Sequence, residues 1–164
     1  MDHLRRPYRV NVGFLIHQPI GTYNDFSFNF PIALIPPDLE VTDFVGTIRF
    51  NRTPQGLLSQ GNFSGSIKAE CVRCLDEFSQ LINIQFQELY TFRQNAGNDS
   101  SMVIPEDGNI DLSPVLREYF FLEFPINPLC KPDCKGLCLE CGENWNHKKC
   151  EHFLENLYSG PDTG

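Results

Sequence analysis

Five of the chain's seven cysteines lie between Cys130 and Cys150, and the other two stand as Cys71-Val72-Arg73-Cys74. Thiols at this density need either disulfide partners or a ligand, and that requirement limits the fold more than any other feature. The N-terminal Met1-Asp2-His3-Leu4-Arg5-Arg6-Pro7 begins with charge and enters no sustained apolar run, so neither a signal peptide nor a transit peptide is expected. No stretch approaches the roughly 20 apolar residues that cross a bilayer, so no membrane partner is expected either. The expected location is therefore cytoplasmic and reducing, where disulfides are rare. An odd cysteine count also suits a disulfide framework poorly.

The spacings are those of metal ligands: Cys71-x2-Cys74, Cys130-x3-Cys134, Cys138-x2-Cys141 and Cys150, with His152 two residues further on. A CxxC on a tight turn aims two sulfurs at one ion. Gly142, directly after Cys141, can supply the positive φ that such a turn uses. Structural zinc takes four ligands, and seven Cys with His152 make eight. Two structural Zn sites are expected, one from Cys71, Cys74, Cys130 and Cys134, the other from Cys138, Cys141, Cys150 and His152. The first would clip a β-rich part to the segment after the helix, and the second would fold the tail locally. His147 competes with His152 for the last position. A single ribbon of Cys71, Cys74, Cys138 and Cys141 is the alternative pairing.

The rest of the chain decides what those sites are attached to. Phe26, Phe28 and Phe30, then Phe44, Gly46, Ile48 and Phe50, then Ile82, Ile84, Phe86, Glu88, Tyr90 and Phe92 repeat with period two, the mark of strands that bury one face. Val10, Val12, Phe14 and Ile16 carry the same signal. Gln18-Pro19-Ile20-Gly21, Pro36-Pro37-Asp38 and Thr53-Pro54-Gln55-Gly56 punctuate them as turns. Residues 93–110 read as a polar, acidic, mobile loop. A helix follows, with Ser113 as N-cap, Pro114 at its first position and Val115, Leu116, Tyr119, Phe120 and Phe124 on one face, ended by Pro125. A last short helix is expected from about Glu151 to Tyr158.

The expected fold is α+β and mostly β: a small antiparallel barrel or sandwich, then a helix, then a Cys-rich zinc-binding tail. The division is 1–92 as β-rich domain, 93–129 as acidic loop and helix packing on it, 130–158 as Cys-rich segment and 159–164 as disordered tail.

No HExxH, GxSxG or phosphate-binding glycine loop occurs. Four thiolates fill a zinc shell and leave no place for a reacting water, so no enzyme is expected. A redox CxxC would open a helix after a strand, whereas the surroundings of Cys71 read as β. Charge narrows the partners. The chain carries 13 Lys+Arg against 21 Asp+Glu, a formal −8. Residues 76–164 hold almost all of the excess acid. With seven thiolates and two Zn²⁺ the loaded protein would be nearer about −11 by formal count. Such a chain does not coat nucleic acid non-specifically, and no DNA partner is expected. RNA could be met only by a local patch, either Arg5, Arg6 and Arg9 or Arg49, Arg52, Lys68 and Arg73. An acidic surface equally suits capture of a basic protein.

Cys71-Val72-Arg73-Cys74-Leu75, Ile110-Asp111-Leu112, Pro125-Ile126-Asn127-Pro128-Leu129-Cys130 and Cys134-Lys135-Gly136-Leu137-Cys138-x2-Cys141-Gly142-x-Asn144-x-Asn146-x3-Cys150 occur in that order. Together they resemble the YceD-like family, the large ribosomal RNA subunit accumulation proteins of bacteria and plastids. The resemblance covers roughly residues 65–152. It implies a non-enzymatic role in accumulation or processing of large-subunit (23S) ribosomal RNA and in assembly of the large ribosomal subunit. The implied partner is the pre-ribosomal large-subunit particle, met through ribosomal RNA or a basic ribosomal protein. A zinc-stabilised protein–protein adaptor and a thiol-redox or chaperone module are the alternatives. The family's retention of the CxxC and the first C-terminal pair favours the ligand sets given above. Cys150-Glu151-His152 departs from the family's usual Cys-x-Cys.

Overall fold

Long runs of alternating residues draw out into four long strands, as period-two burial demands. The computed structural model describes residues 7–95 and 102–154. In chain order these contain β1 (Arg9–Asn11), α1 (Gly13–Ile16), β2 (Tyr23–Ile35), β3 (Leu39–Arg52), β4 (Gly56–Glu70), β5 (Glu77–Thr91), a 3₁₀ turn (Arg93–Asn95), β6 (Asn109–Asp111) and α2 (Ser113–Glu123). The chain divides into two units, one of Met1–Ile67 with Leu81–Phe124, the other of Lys68–Gln80 with Pro125–Gly164.

The first unit is mostly β. An antiparallel meander runs in the order β2-β3-β4-β5, and β1 pairs with β6 in a second, two-stranded antiparallel sheet. The order is linear: β2 and β5 lie at its ends, and the described pairings do not close it into the expected barrel. Phe30 stands opposite Phe44 and Phe26 opposite Ile48, so the aromatic repeats of β2 and β3 fall on one face. There Phe44 stacks on Phe63 at 5.4 Å between centroids, and Phe63 on Phe86 at 6.1 Å. The helix α2 lays Phe120 against Phe44 and Tyr119 against Phe86, and the Tyr119 hydroxyl donates to Glu88 Oε1 at 2.8 Å.

Three local readings are corrected. The Val10–Ile16 alternation does not continue as a strand. Asn11 Oδ1 accepts the Gly13 N–H, Leu15 N–H bonds back to Val12, and the chain coils so that Leu15 is buried while Phe14 is half-exposed. In α2, Ser113 does not cap. Its N–H and hydroxyl both donate to Asp111 Oδ1, and the flanking residue is Leu112. The segment read as one mobile loop contains β6, whose Ile110 is buried opposite Val10. Residues 96–101 of that segment, Arg5, Arg6 and His3, most of the expected 151–158 helix and the 159–164 tail lie outside the described residues.

The burial phase of β3 flips between Val41 and Phe44. Asp43 adopts φ +51°, and the β3–β4 register shifts there, a β-bulge that keeps buried side chains on one face of a bent strand.

Candidate metal centres

The Cys71 and Cys138 loops fold into the same turn from different sequences. In Cys138-Leu139-Glu140-Cys141-Gly142 the Gly142 N–H returns to the Cys138 carbonyl at 2.9 Å, and Gly142 takes φ +79°. In Cys71-Val72-Arg73-Cys74-Leu75 the Leu75 N–H returns to the Cys71 carbonyl at 2.9 Å, and Leu75 takes φ +64°. Leu75 thus stands where glycine is the easy residue, at a steric cost of about 1–2 kcal/mol. Such a turn leaves backbone N–H groups facing the sulfurs, as the Glu140 N–H faces Cys138 Sγ at 3.4 Å.

All eight sequence-nominated ligands come together as two sets of four. Cys71, Cys74, Cys130 and Cys134 form one group, and Cys138, Cys141, Cys150 and His152 the other. Within each, the ligating atoms lie within 4.8 Å of one another. The single-ribbon alternative is not what the chain builds. His147 is held elsewhere, its Nε2 at 3.3 Å from Asp76 Oδ2. All seven cysteines are free thiols.

The first group is interior. Cys71, Cys74 and Cys134 are buried, with Phe78, Leu129, Leu137 and half-buried Cys130 packed around them. The Cys71–Cys134 and Cys74–Cys130 sulfurs are 3.7 and 3.6 Å apart. Its two arms are fixed by the Val72 N–H to the Pro128 carbonyl at 3.0 Å, and by the Arg73 guanidinium to the Cys134 carbonyl at 3.2 Å. Burial opposes ionisation of Cys71, but backbone N–H groups of Cys74, Cys130 and Arg73 outweigh it and bring the thiol down to about 6. Burial pushes Cys74 and Cys130 upward. Four thiols this close resist ionising together, and a cation among them removes that cost.

The second group is local and more open: Cys138 is buried, Cys150 and His152 half-buried, Cys141 exposed. His152 Nδ1 lies 3.8 Å from Cys138 Sγ and 3.9 Å from Cys150 Sγ. The Trp145 indole N–H donates to Cys150 Sγ at 3.2 Å and, against the cost of burial, holds that thiol down at about 6. The Glu143 N–H favours the Cys141 thiolate, but burial and the neighbouring Cys150 and Cys138 sulfurs raise it overall.

Those arginines of the two basic patches that lie among the described residues are engaged, Arg73 through the bond to Cys134 already given. Arg9 pairs with Asp107 at 3.0 Å and Arg49 with Asp25 at 2.8 Å. Arg52 donates to the Ile16 carbonyl and lies over the Phe92 ring. Phe26, Phe28 and Phe30 pack against the core. Sequence reasoning missed the side chains that donate to the sulfurs, Trp145 and Asn146. Their only signal was the clustering of polar amides around the sole tryptophan, inside the cysteine motif.

Fold and site together define a mostly β protein carrying two cysteine-rich groups that could each hold a metal ion, and no helix among the described residues is long and apolar enough to cross a membrane. The chain belongs to the YceD family, large ribosomal RNA subunit accumulation proteins, whose model matches residues 59–158. An uncharacterized protein of Mycobacterium tuberculosis is 30% identical over 101 residues, covering 58% of this chain and 48% of that one. The large ribosomal RNA subunit accumulation protein YCED homolog 1, chloroplastic, of Arabidopsis thaliana is 45% identical over 56 residues, 34% of this chain and 17% of that one. The uncharacterized protein YlbN of Bacillus subtilis is 30% identical over 84 residues, 50% and 49% of the two chains. The chain spans about half the length of the first of these curated relatives. No solved structure matches it.

Proposed function

We propose that this chain is a non-enzymatic cytoplasmic factor for accumulation of large-subunit ribosomal RNA, in which two structural Zn²⁺ ions hold the Cys-rich unit in shape. The observation that carries the zinc part is the donor geometry. A tetrahedral ion with Zn–S near 2.3 Å places neighbouring sulfurs about 3.8 Å apart. The first group's sulfurs already stand 3.6 and 3.7 Å apart. Thiolate and imidazole donors in fours suit zinc and leave no coordination position for a reacting water. When bound, zinc supplies folding energy, on the order of 10–16 kcal/mol per site in peptide systems. The ribosomal part rests on family membership. Metal analysis of protein purified without chelator is expected to give two zinc per chain. Depleting the protein in cells is expected to lower large-subunit RNA relative to small-subunit RNA, and unchanged levels would contradict the reading.

The engaged arginines favour one version of this role, in which the pre-ribosomal particle is met through a basic ribosomal protein. Arg9, Arg49 and Arg117 are each tied to a carboxylate, and the chain's net −8 repels phosphate. Crosslinking from cells is expected to recover a basic ribosomal protein. Recovery of ribosomal RNA alone would favour direct RNA contact.

A further inference from the structure

Three consecutive residues, Asn144-Trp145-Asn146, make hydrogen bonds into both cysteine groups. Asn146 Nδ2 donates to Cys134 Sγ of the first group at 3.3 Å, and Asn146 Oδ1 accepts the Lys135 N–H at 2.8 Å. Trp145 Nε1 donates to Cys150 Sγ of the second group at 3.2 Å. Asn144 Nδ2 donates at 3.0 Å to Asp76, whose carbonyl accepts the Cys71 N–H.

The backbone locks these three positions to one another and to the linker between the groups. The Trp145 N–H bonds to the Gly136 carbonyl at 3.0 Å, and the Asn146 N–H to Asn144 Oδ1 at 3.0 Å. Leu137 and Asn144 form an isolated antiparallel bridge. Only Lys135, Gly136 and Leu137 separate the last ligand of one group from the first of the other. The Trp145 ring stands edge-on to Phe153 at 5.3 Å, one residue past His152. In the assembled geometry this one segment, held by these backbone bonds, presents a donor to a sulfur of each group.

Donors to a ligating sulfur orient it and balance its charge, and removing such a partner typically weakens metal binding 10–100-fold. Ordering shared by two sites makes the second binding event less costly. Resting on the zinc reading above, we propose that Asn144-Trp145-Asn146 is a common outer shell of the two centres and that they load with metal cooperatively. Asn146 and Trp145 are positioning residues that do not touch the ion.

The test uses the full chain, reduced and stripped of metal, titrated with zinc against a chromophoric chelator. The sole tryptophan reports the second group through its contact with Cys150. Cys130→Ser removes a ligand from the first group only, and is expected to weaken zinc binding at the second about tenfold. Cys141→Ser is expected to weaken the first group by the same factor, a reciprocity that simple misfolding does not require. Asn146→Ala keeps all eight ligands and a stoichiometry of two, and is expected to weaken both groups, the first by about 10–100-fold. It carries the test should a cysteine variant lose its fold by circular dichroism. Second-group affinity unchanged in Cys130→Ser and Asn146→Ala would overturn the coupling while leaving two zinc sites in place. A wild-type chain that takes up no zinc would overturn the metal reading itself.

Discussion

In the unit built from Met1–Ile67 and Leu81–Phe124, the interior is a continuous apolar cluster around Phe44, Phe50, Phe63 and Phe120. In the unit built from Lys68–Gln80 and Pro125–Gly164, the buried cluster is Cys71, Cys74 and Cys134, ringed by Phe78, Leu129, Cys130 and Leu137. Each fully buried Phe, Leu or Ile contributes about 1.5–3 kcal/mol, so many together offset the entropy of ordering a sheet. A handful of thiols cannot do so by hydrophobic burial. The second unit places at its centre groups that are costly to ionise together, a cost that a cation bound among them would remove. The difference teaches that the two units are built on different interiors, apolar area in one and, in the other, clustered thiols that a bound metal ion would tie together on the reading proposed above.

The largest expected effect separates the two outright. On the zinc reading, Cys74→Ser removes one buried ligand of the first site and is expected to forfeit a large part of that site's binding energy, itself on the order of 10–16 kcal/mol. Amide exchange is expected to lose protection over residues 71–78 and 128–137 while the β2–β4 amides stay protected. Melting of the whole sheet in that variant would break the comparison. Phe63→Ala is the converse. Phe63 touches Phe28, Phe44 and Phe86, and its loss is expected to cost about 3–5 kcal/mol and lower the thermal midpoint of the sheet, with zinc stoichiometry unchanged.

Smaller changes sharpen the contrast. Leu75→Gly relieves about 1–2 kcal/mol of left-handed strain against about 0.5–1 kcal/mol of added chain entropy. It is expected to leave zinc binding intact and to raise the resistance of the Cys-rich unit slightly, read as chelator needed for half-release. Weaker zinc binding would contradict the shared-turn account of Cys71 and Cys138.

The least effect concerns Asp107, at the β1–β6 pairing. Hydrogen bonds from the Asn109 side chain, then its N–H, and the Arg9 charge hold this carboxyl below the usual carboxylate range. A depressed folded value means that its contribution is present above the unfolded value and lost as pH falls through the folded one. Asp107→Asn is therefore expected to lower the thermal midpoint slightly at neutral pH and to match wild type in strong acid. An equal difference at both would contradict the assignment.

The parts of this fold that were legible in the sequence are those with a periodic or counted signal. The Phe26–Phe30 and Ile82–Phe92 alternations became β2 and β5, and the spacing of seven cysteines and His152 anticipated which residues meet. What escaped depends on single-residue geometry. Asp43 bulges β3, visible only as a three-residue step from Val41 to Phe44. Asn11 turns the chain before Phe14 can extend a strand. Asp111 takes the Ser113 hydroxyl that would otherwise cap α2. Leu75 fills a turn that composition assigns to glycine. The donors Trp145 and Asn146 escaped for another reason: a hydrogen bond to sulfur has no sequence period, and only the folded loop aims it.

The most direct test of the division is to strip metal from the intact, reduced chain with a strong chelator and follow amide exchange residue by residue. The predicted result is loss of protection through 68–80 and 125–154, with β2, β3, residues 56–67 of β4 and α2 still protected, reversed by adding zinc. Unchanged protection in the Cys-rich unit after complete removal of metal would contradict it.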